Sequence, residues 1–295
     1  MIELRNLVKK FGDVTAVGGV SARFGRGISI ITGPNGAGKS TLLRCIDGLY
    51  KPTSGSVSVN GFDPYTNEGV RKSMSLLTDN YALYDNLTVL QNLMFFGRLY
   101  KLSRNETETS SRRMLKDLNA EQFINAKVYA LSRGTKQKIA LVRALLCNPE
   151  ILLLDEPTAF LDPKASESVR MIMEDMAKEG RTVVFVTQKV DEIPRFNARL
   201  IFLRRGRIAS HTTTYSFYVG MAKGSIAEIR LAKPIDRKVA ASTPMFYSCN
   251  GNRPTLLKIK LRSYRDISRA VSYLSGKGAY VVGIDYAESI AEKFS

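Results

Sequence analysis

The chain has 295 residues, 44% of them hydrophobic and 24% charged, and a formal net charge of +17 from 44 basic and 27 acidic side chains. That length admits one large domain, or one large and one small. No apolar run approaches the roughly 18 residues of a membrane-spanning helix, and the opening MIELRNLVKKFG lacks a signal-peptide core, so any membrane role is expected to pass through a partner.

In chain order, MIELRNLVKKF mixes apolar and polar residues as an edge strand does. ISIIT, Ile28 to Thr32, predicts a strand buried on both faces. A glycine-rich turn leads to a helix over KSTLLRCIDGL, which Gly48 is placed to end. GSVSVNG alternates as a strand with Gly61 at its turn. From about residue 80 to 146 the pattern is mostly helical. ILLLDEP is a second fully apolar strand. PKASESVRMIMEDMAKEG reads as a helix with Pro163 near its start and Gly180 past its end. TVVFVT is the next strand, followed by a polar loop and a short acidic turn, and RLIFLRRGRIA is a hairpin turning at Gly206. Beyond His211 the pattern weakens through HTTTYSFYVG and DRKVAASTP. LLKIKL, SRAVSYLSGKG and AYVVGIDY then read as strand, helix and strand. Alternating strands and helices predict an α/β fold with a mainly parallel sheet, with a domain over 1–211, a helical insertion at about 80–146 and a small α/β domain over 212–295.

Several chemistries drop out. Cys45, Cys147 and Cys249 are widely spaced and odd in number, against a disulfide framework or a zinc site. His211 is the single histidine, without a nucleophile-elbow pattern, which sets Ser-His-Asp catalysis aside. The basic excess suits an anionic partner, or serves solubility alone, since the basic residues are dispersed.

GPNGAGKST, Gly33 to Thr41, matches G-x-x-x-x-G-K-[ST] between an expected strand and helix. Glycines let the backbone turn its N–H groups onto phosphate oxygens, with the helix start adding favourable partial charge. Asn35, Gly36, Gly38, Lys39, Ser40 and Thr41 are the candidate phosphate contacts, Lys39 reaching the β- and γ-phosphates and Ser40 facing Mg²⁺. ILLLDEP supplies the second half: Asp155 ends an apolar strand where a carboxylate can hold Mg²⁺, and Glu156 can orient or deprotonate an attacking water.

Over about residues 1 to 210 the chain resembles an ATP-binding-cassette (ABC) ATPase. LSRGTKQK, Leu131 to Lys138, is similar to the family signature LSGGQ; Ser132 and Gly134 match, while Arg133 and Thr135 replace a glycine and a glutamine. The resemblance implies that the segment of Ser132 and Gly134 closes over the γ-phosphate bound by an opposite subunit, and that Asp162, which ends the D-loop match AFLD, is a nucleotide-binding residue. It implies that Phe11 stacks on adenine and Val17 adds a second apolar contact; plain core is the rival reading for Phe11. It implies a P-loop NTPase core with antiparallel N-terminal strands, ATP and Mg²⁺ as ligands, a second cassette chain and separate membrane-spanning subunits as partners, and a place at the cytoplasmic face of the cell membrane.

Two further positions depart from the family. The family's Q-loop glutamine falls on Asp79, which either faces Mg²⁺ or caps a turn. LTDNYALYDNLTV and the C-terminal extension resemble an exporter-like subgroup, so export is the expected direction. Gln188, in VTQKVDE, stands where the family has a switch histidine; it can donate a hydrogen bond but cannot become a cation. Slowed hydrolysis is expected, with a weakly or non-hydrolysing regulatory cassette as the alternative and a soluble ABC ATPase acting on nucleic acid or ribosomes as the third reading. In the extension, Tyr264, Tyr273, Tyr280 and Tyr286 interleave with Lys258, Lys260, Arg262, Arg265 and Arg269. Without a recognisable motif this reads as a solvated basic face, and no nucleic-acid partner is expected.

Overall fold

In the computed structural model, which describes residues 1–214, 226–261 and 265–286, the apolar runs lie side by side. Strands β3 (Gly27–Thr32), β6 (Ile151–Asp155) and β7 (Thr182–Val186) join β5 (Met74–Leu77), β8 (Arg199–Arg204) and β9 (Arg207–Thr213). The sheet order is β5-β6-β7-β3-β8-β9. Its pairs from β5 through β8 are parallel. β8 and β9 form the hairpin expected at Gly206. All five residues of β6 and of β7 are buried, as a strand covered on both faces requires.

One face of this sheet, carrying Ile31, Leu153, Val184 and Ile201, shares a core with helix α1 (Lys39–Ile46) and a second sheet. The second sheet holds β1 (Ile2–Phe11), β2 (Val14–Phe24) and β4 (Ser54–Val59) in antiparallel order β2-β1-β4. Truncating a large side chain in such a core costs about 2–5 kcal/mol. β2 has no strand signal in the sequence. It runs through Gly18 and Gly19, and its pairing with β1 slips at three places, so the alternation is broken.

Helix α2 (Glu68–Lys72) precedes β5. The helical stretch holds α3 (Val89–Leu99), α4 (Arg104–Asp117) and α5 (Arg133–Leu145), with two short 3-10 turns before α5. Capping boxes at Thr88 with Gln91 and Ser103 with Glu106 set the starts of α3 and α4. Helix α6 (Pro163–Lys178) begins at the expected proline and packs on β3 and β7.

The chain divides into two compact units, Met1–His211 and Thr212–Ser295. In the second, β10 (Ile226–Leu231), α7 (Arg237–Ala241), β11 (Phe246–Cys249), β12 (Leu256–Lys260), α8 (Arg265–Gly276) and β13 (Val281–Tyr286) follow one another. The strands pair antiparallel in the order β11-β12-β10-β13, a ferredoxin-like β-α-β-β-α-β arrangement. Its core includes Ala227, Ile229, Leu257, Ile259, Ala270 and Leu274. Most of HTTTYSFYVG, together with Arg262, Tyr264 and the final helix expected after Tyr286, lies outside the described residues.

Asp47, at the C-terminal end of α1, has its carboxyl pushed up from 3.8 to about 6 by burial, against the opposing charges of Arg71 and Arg143. The folded protein therefore holds this proton more tightly than the unfolded chain. The stability this gives below about pH 4 is lost as pH rises to about 6. Asp47→Asn should thus stabilise the protein at pH 8, by on the order of 1–3 kcal/mol, and much less near pH 4. Thermal melts of the variant and parent at both pH values test this; equal melting differences at the two would refute it.

Candidate nucleotide site

The loop from Gly33 to Thr41 joins β3 to α1. Gly38 sits at φ 95°, and a Cβ there would lie 2.1 Å from the Ala16 carbonyl oxygen, so the turn requires glycine. No side chain caps α1, which leaves its first N–H groups to an anion. Lys39 is buried at the helix start, and its Nζ donates to the carbonyls of Gly33 at 2.8 Å and Pro34 at 2.9 Å. Burial lowers its pKa; the Glu156 and Asp155 carboxylates oppose this. The ammonium is thus partly desolvated and held by neutral oxygens, poised for phosphate.

Asp155 is 4% exposed at the end of β6. Burial raises its pKa, and a hydrogen bond with the Ser40 side chain acts the other way. Glu156 follows at φ 49°, a left-handed conformation that turns its side chain off the strand line. Burial raises its pKa too, opposed first by a hydrogen bond with the Gln188 side chain. The Gln188 backbone N–H also donates to Glu156 Oε2, at 3.4 Å. Glu156 Oε1 is buried without a hydrogen-bond partner.

These groups converge on a cleft of about 450 Å³. It is lined by Phe11, Ala16, Asn35 to Thr41, Asp79, Asp155, Glu156 and Gln188. Phe11 is 45% exposed rather than core; its ring meets Tyr50 edge-on at 5.4 Å, with Lys9 Nζ 5.0 Å from its centroid. Asp79 accepts from Arg44 Nη2 at 2.7 Å. The expectation for Val17 fails. Val17 is 0% exposed, and its neighbour Ala16 faces the cleft, because successive strand residues point to opposite faces.

Ser132, Gly134 and Asp162 do not line this cleft. Ser132 caps α5, accepting from the Thr135 N–H at 3.2 Å, and Asp162 caps α6, accepting from the Ala165 N–H at 2.8 Å. A Cβ on Gly134 would stand 2.5 Å from the Phe160 carbonyl oxygen, so the start of α5 presses on the turn before α6. Gln137, one turn into α5, is buried and donates from Nε2 to the Glu156 carbonyl at 3.0 Å. The sequence reading missed Ala16, Arg44 and Gln137. Helical periodicity puts Gln137 on the buried face of α5 with Ala140 and Ala144, and that was the available signal.

Comparison with known proteins agrees with this geometry. A family model described as ABC transporter matches residues 19–159. The chain is 36% identical over 215 residues to the glutamine transport ATP-binding protein GlnQ of Escherichia coli (strain K12), across 71% of this chain and 90% of that protein. The chain belongs to the ABC transporter family. It is an ATP-binding subunit of that family, with the P-loop NTPase fold the sequence implied. The cassette is also 32% identical over 265 residues to the spermidine/putrescine import ATP-binding protein PotA of Nitrosomonas eutropha (strain DSM 101675 / C91 / Nm57), across 88% of this chain and 73% of that one. Among solved structures it resembles the dimeric post-hydrolysis cassette MJ0796 bound to ADP and Pi. There the TM-score is 0.66 at 30% identity, over 72% of this chain and 99% of that one.

Proposed function

We propose that the chain hydrolyses ATP as half of a cassette dimer and drives separately encoded membrane-spanning subunits at the cytoplasmic face of the cell membrane. The observation that carries this is the convergence of Lys39, Ser40, Asp155, Glu156 and Gln188 on one cleft beside an uncapped helix start. No helix among the described residues is long and apolar enough to cross a membrane, which supports separate membrane subunits. Ser132, Gly134 and Asp162 do not line the chain's own cleft, which supports their serving a second chain's nucleotide. The solved dimer of MJ0796 supports the same arrangement.

The donor set fits Mg²⁺. Ser40 and Asp155 line the cleft together and offer hard oxygen ligands, and Asp79 lines the same cleft. No group of three or more His, Cys, Asp and Glu that could hold a metal lies among the described residues, so phosphate oxygens would complete the shell. The ion supplies neutralisation of phosphate charge. Lys39 binds and orients the β- and γ-phosphates, Phe11 offers a face to the base, and Glu156 orients the attacking water or takes its proton. The expectation of export rests only on the resemblance of LTDNYALYDNLTV and the C-terminal extension to an exporter-like subgroup, and PotA carries import in its name.

Phosphate release from the purified chain with Mg-ATP tests hydrolysis, with Glu156→Gln as the blank. Turnover that persists in the blank sinks the assignment of Glu156. A second reading, a regulatory cassette that binds ATP without turnover, is favoured by Gln188, and bound ATP with no release above the blank would mean that the chain serves so or needs a second subunit. Removing one polar transition-state contact costs about 10²–10³ in rate. Gln188→His is therefore expected to raise turnover, by up to about 10²-fold. An unchanged rate would remove Gln188 from the γ-phosphate shell.

A further inference from the structure

Gln188 is exposed and sits in a loop, so something must hold it against Glu156. The residues that follow it supply the means. Lys189 Nζ donates to the Thr158 carbonyl at 3.0 Å and pairs with Glu192 Oε1 at 3.1 Å. Thr158 Oγ1 donates to Glu192 Oε2 at 2.6 Å. The Lys189 N–H donates to Thr187 Oγ1, and the Glu192 N–H donates to the Lys189 carbonyl at the start of the 3-10 turn Val190–Arg195. Thr158 and Thr187 are buried, and the Glu192 side chain is 13% exposed. Two residues thus close a ring of bonds between the Gln188 loop and the segment two residues past Glu156.

We propose that Lys189 and Glu192 are positioning residues that lock the Gln188 loop to the Glu156–Thr158 segment and so keep the Gln188 backbone N–H on the Glu156 carboxylate. The proposal rests on the reading of Glu156 and Gln188 as the hydrolytic pair. Both residues touch only protein groups and act through that pair. The geometry has a chemical reason. A backbone N–H makes a neutral bond to Glu156, weaker than a charge-assisted one, and its geometry depends on how the loop is held. Lys189 supplies a charged donor where a neutral side chain could accept no such load, and Glu192 satisfies that charge while gripping Thr158 from the other side. Part-buried charge-assisted bonds of this kind are about twice as strong as neutral ones.

The experiment uses the full chain. Lys189→Met and Glu192→Gln are each expected to lower kcat by about 10-fold, with KM for ATP within about twofold and the melting temperature unchanged. Lys189→Arg should keep most of the rate, since it can still reach the carbonyl and the carboxylate. Amide hydrogen exchange provides a readout independent of turnover: the N–H groups of Gln188 and Lys189 should exchange about 10-fold faster in Lys189→Met and near the parent rate in Lys189→Arg. Parental kcat and parental exchange in Lys189→Met would overturn the proposal. Turnover surviving in Glu156→Gln would instead overturn the hydrolytic pair, and the exchange measurement would still judge the lock.

Discussion

Replacing Lys39 with alanine is expected to strip the chain of its ATP affinity while leaving its fold intact. A charged donor to a phosphate is worth about 1.5–3 kcal/mol, so affinity should fall by about 10- to 100-fold. The fold should tolerate the change for an electrostatic reason. Lys39 is buried at a cost visible in its lowered pKa, and it holds only the Gly33 and Pro34 carbonyls, which the loop can expose to water. Titration calorimetry with ATP measures the first effect and a thermal melt the second. Affinity within threefold of the parent would remove Lys39 from the phosphate contacts. A collapsed melting temperature would show that the lysine serves the loop rather than the ligand.

Glu156→Gln separates binding from hydrolysis. A general base or water-orienting carboxylate contributes about 10²–10⁴ to rate, and turnover should fall by that much. ATP affinity should survive, because glutamine keeps the shape and relieves a buried charge whose desolvation already raises its pKa. With hydrolysis blocked and ATP bound, the proposed dimer should persist on gel filtration in Mg-ATP. A strictly monomeric variant under those conditions would count against the two-chain arrangement.

The phosphate loop, β3 and β6 are legible in the sequence because each carries a local signature. A run buried on both faces needs no partner to be recognised, and a glycine loop followed by Lys-Ser has few other uses. What was hidden depends on register and distance. β2 is irregular at Gly18 and Gly19, and placing Ala16 rather than Val17 in the cleft turns on one residue of strand parity. β10, α7 and β11 are short, and their apolar positions acquire meaning only when the four-stranded sheet assembles around Ile229 and Ile259. Gln137 meeting Glu156, and Lys189 meeting Thr158, join residues 19 and 31 positions apart. No periodicity reports such contacts.

A cleft that a second chain completes would have a consequence for the amount of protein a cell must make. If Ser132, Gly134 and Asp162 complete only a neighbour's site, tight nucleotide capture is a property of pairs, and mass action ties it to chain concentration. Half-saturation by ATP should then move to lower nucleotide as the chain becomes more abundant. Halving the supply of chains would cut the population of closed pairs by up to about fourfold where chains are mostly unpaired. Expression level would thereby act as a threshold on transport, steeper than the one-for-one dependence of an enzyme with a self-contained site.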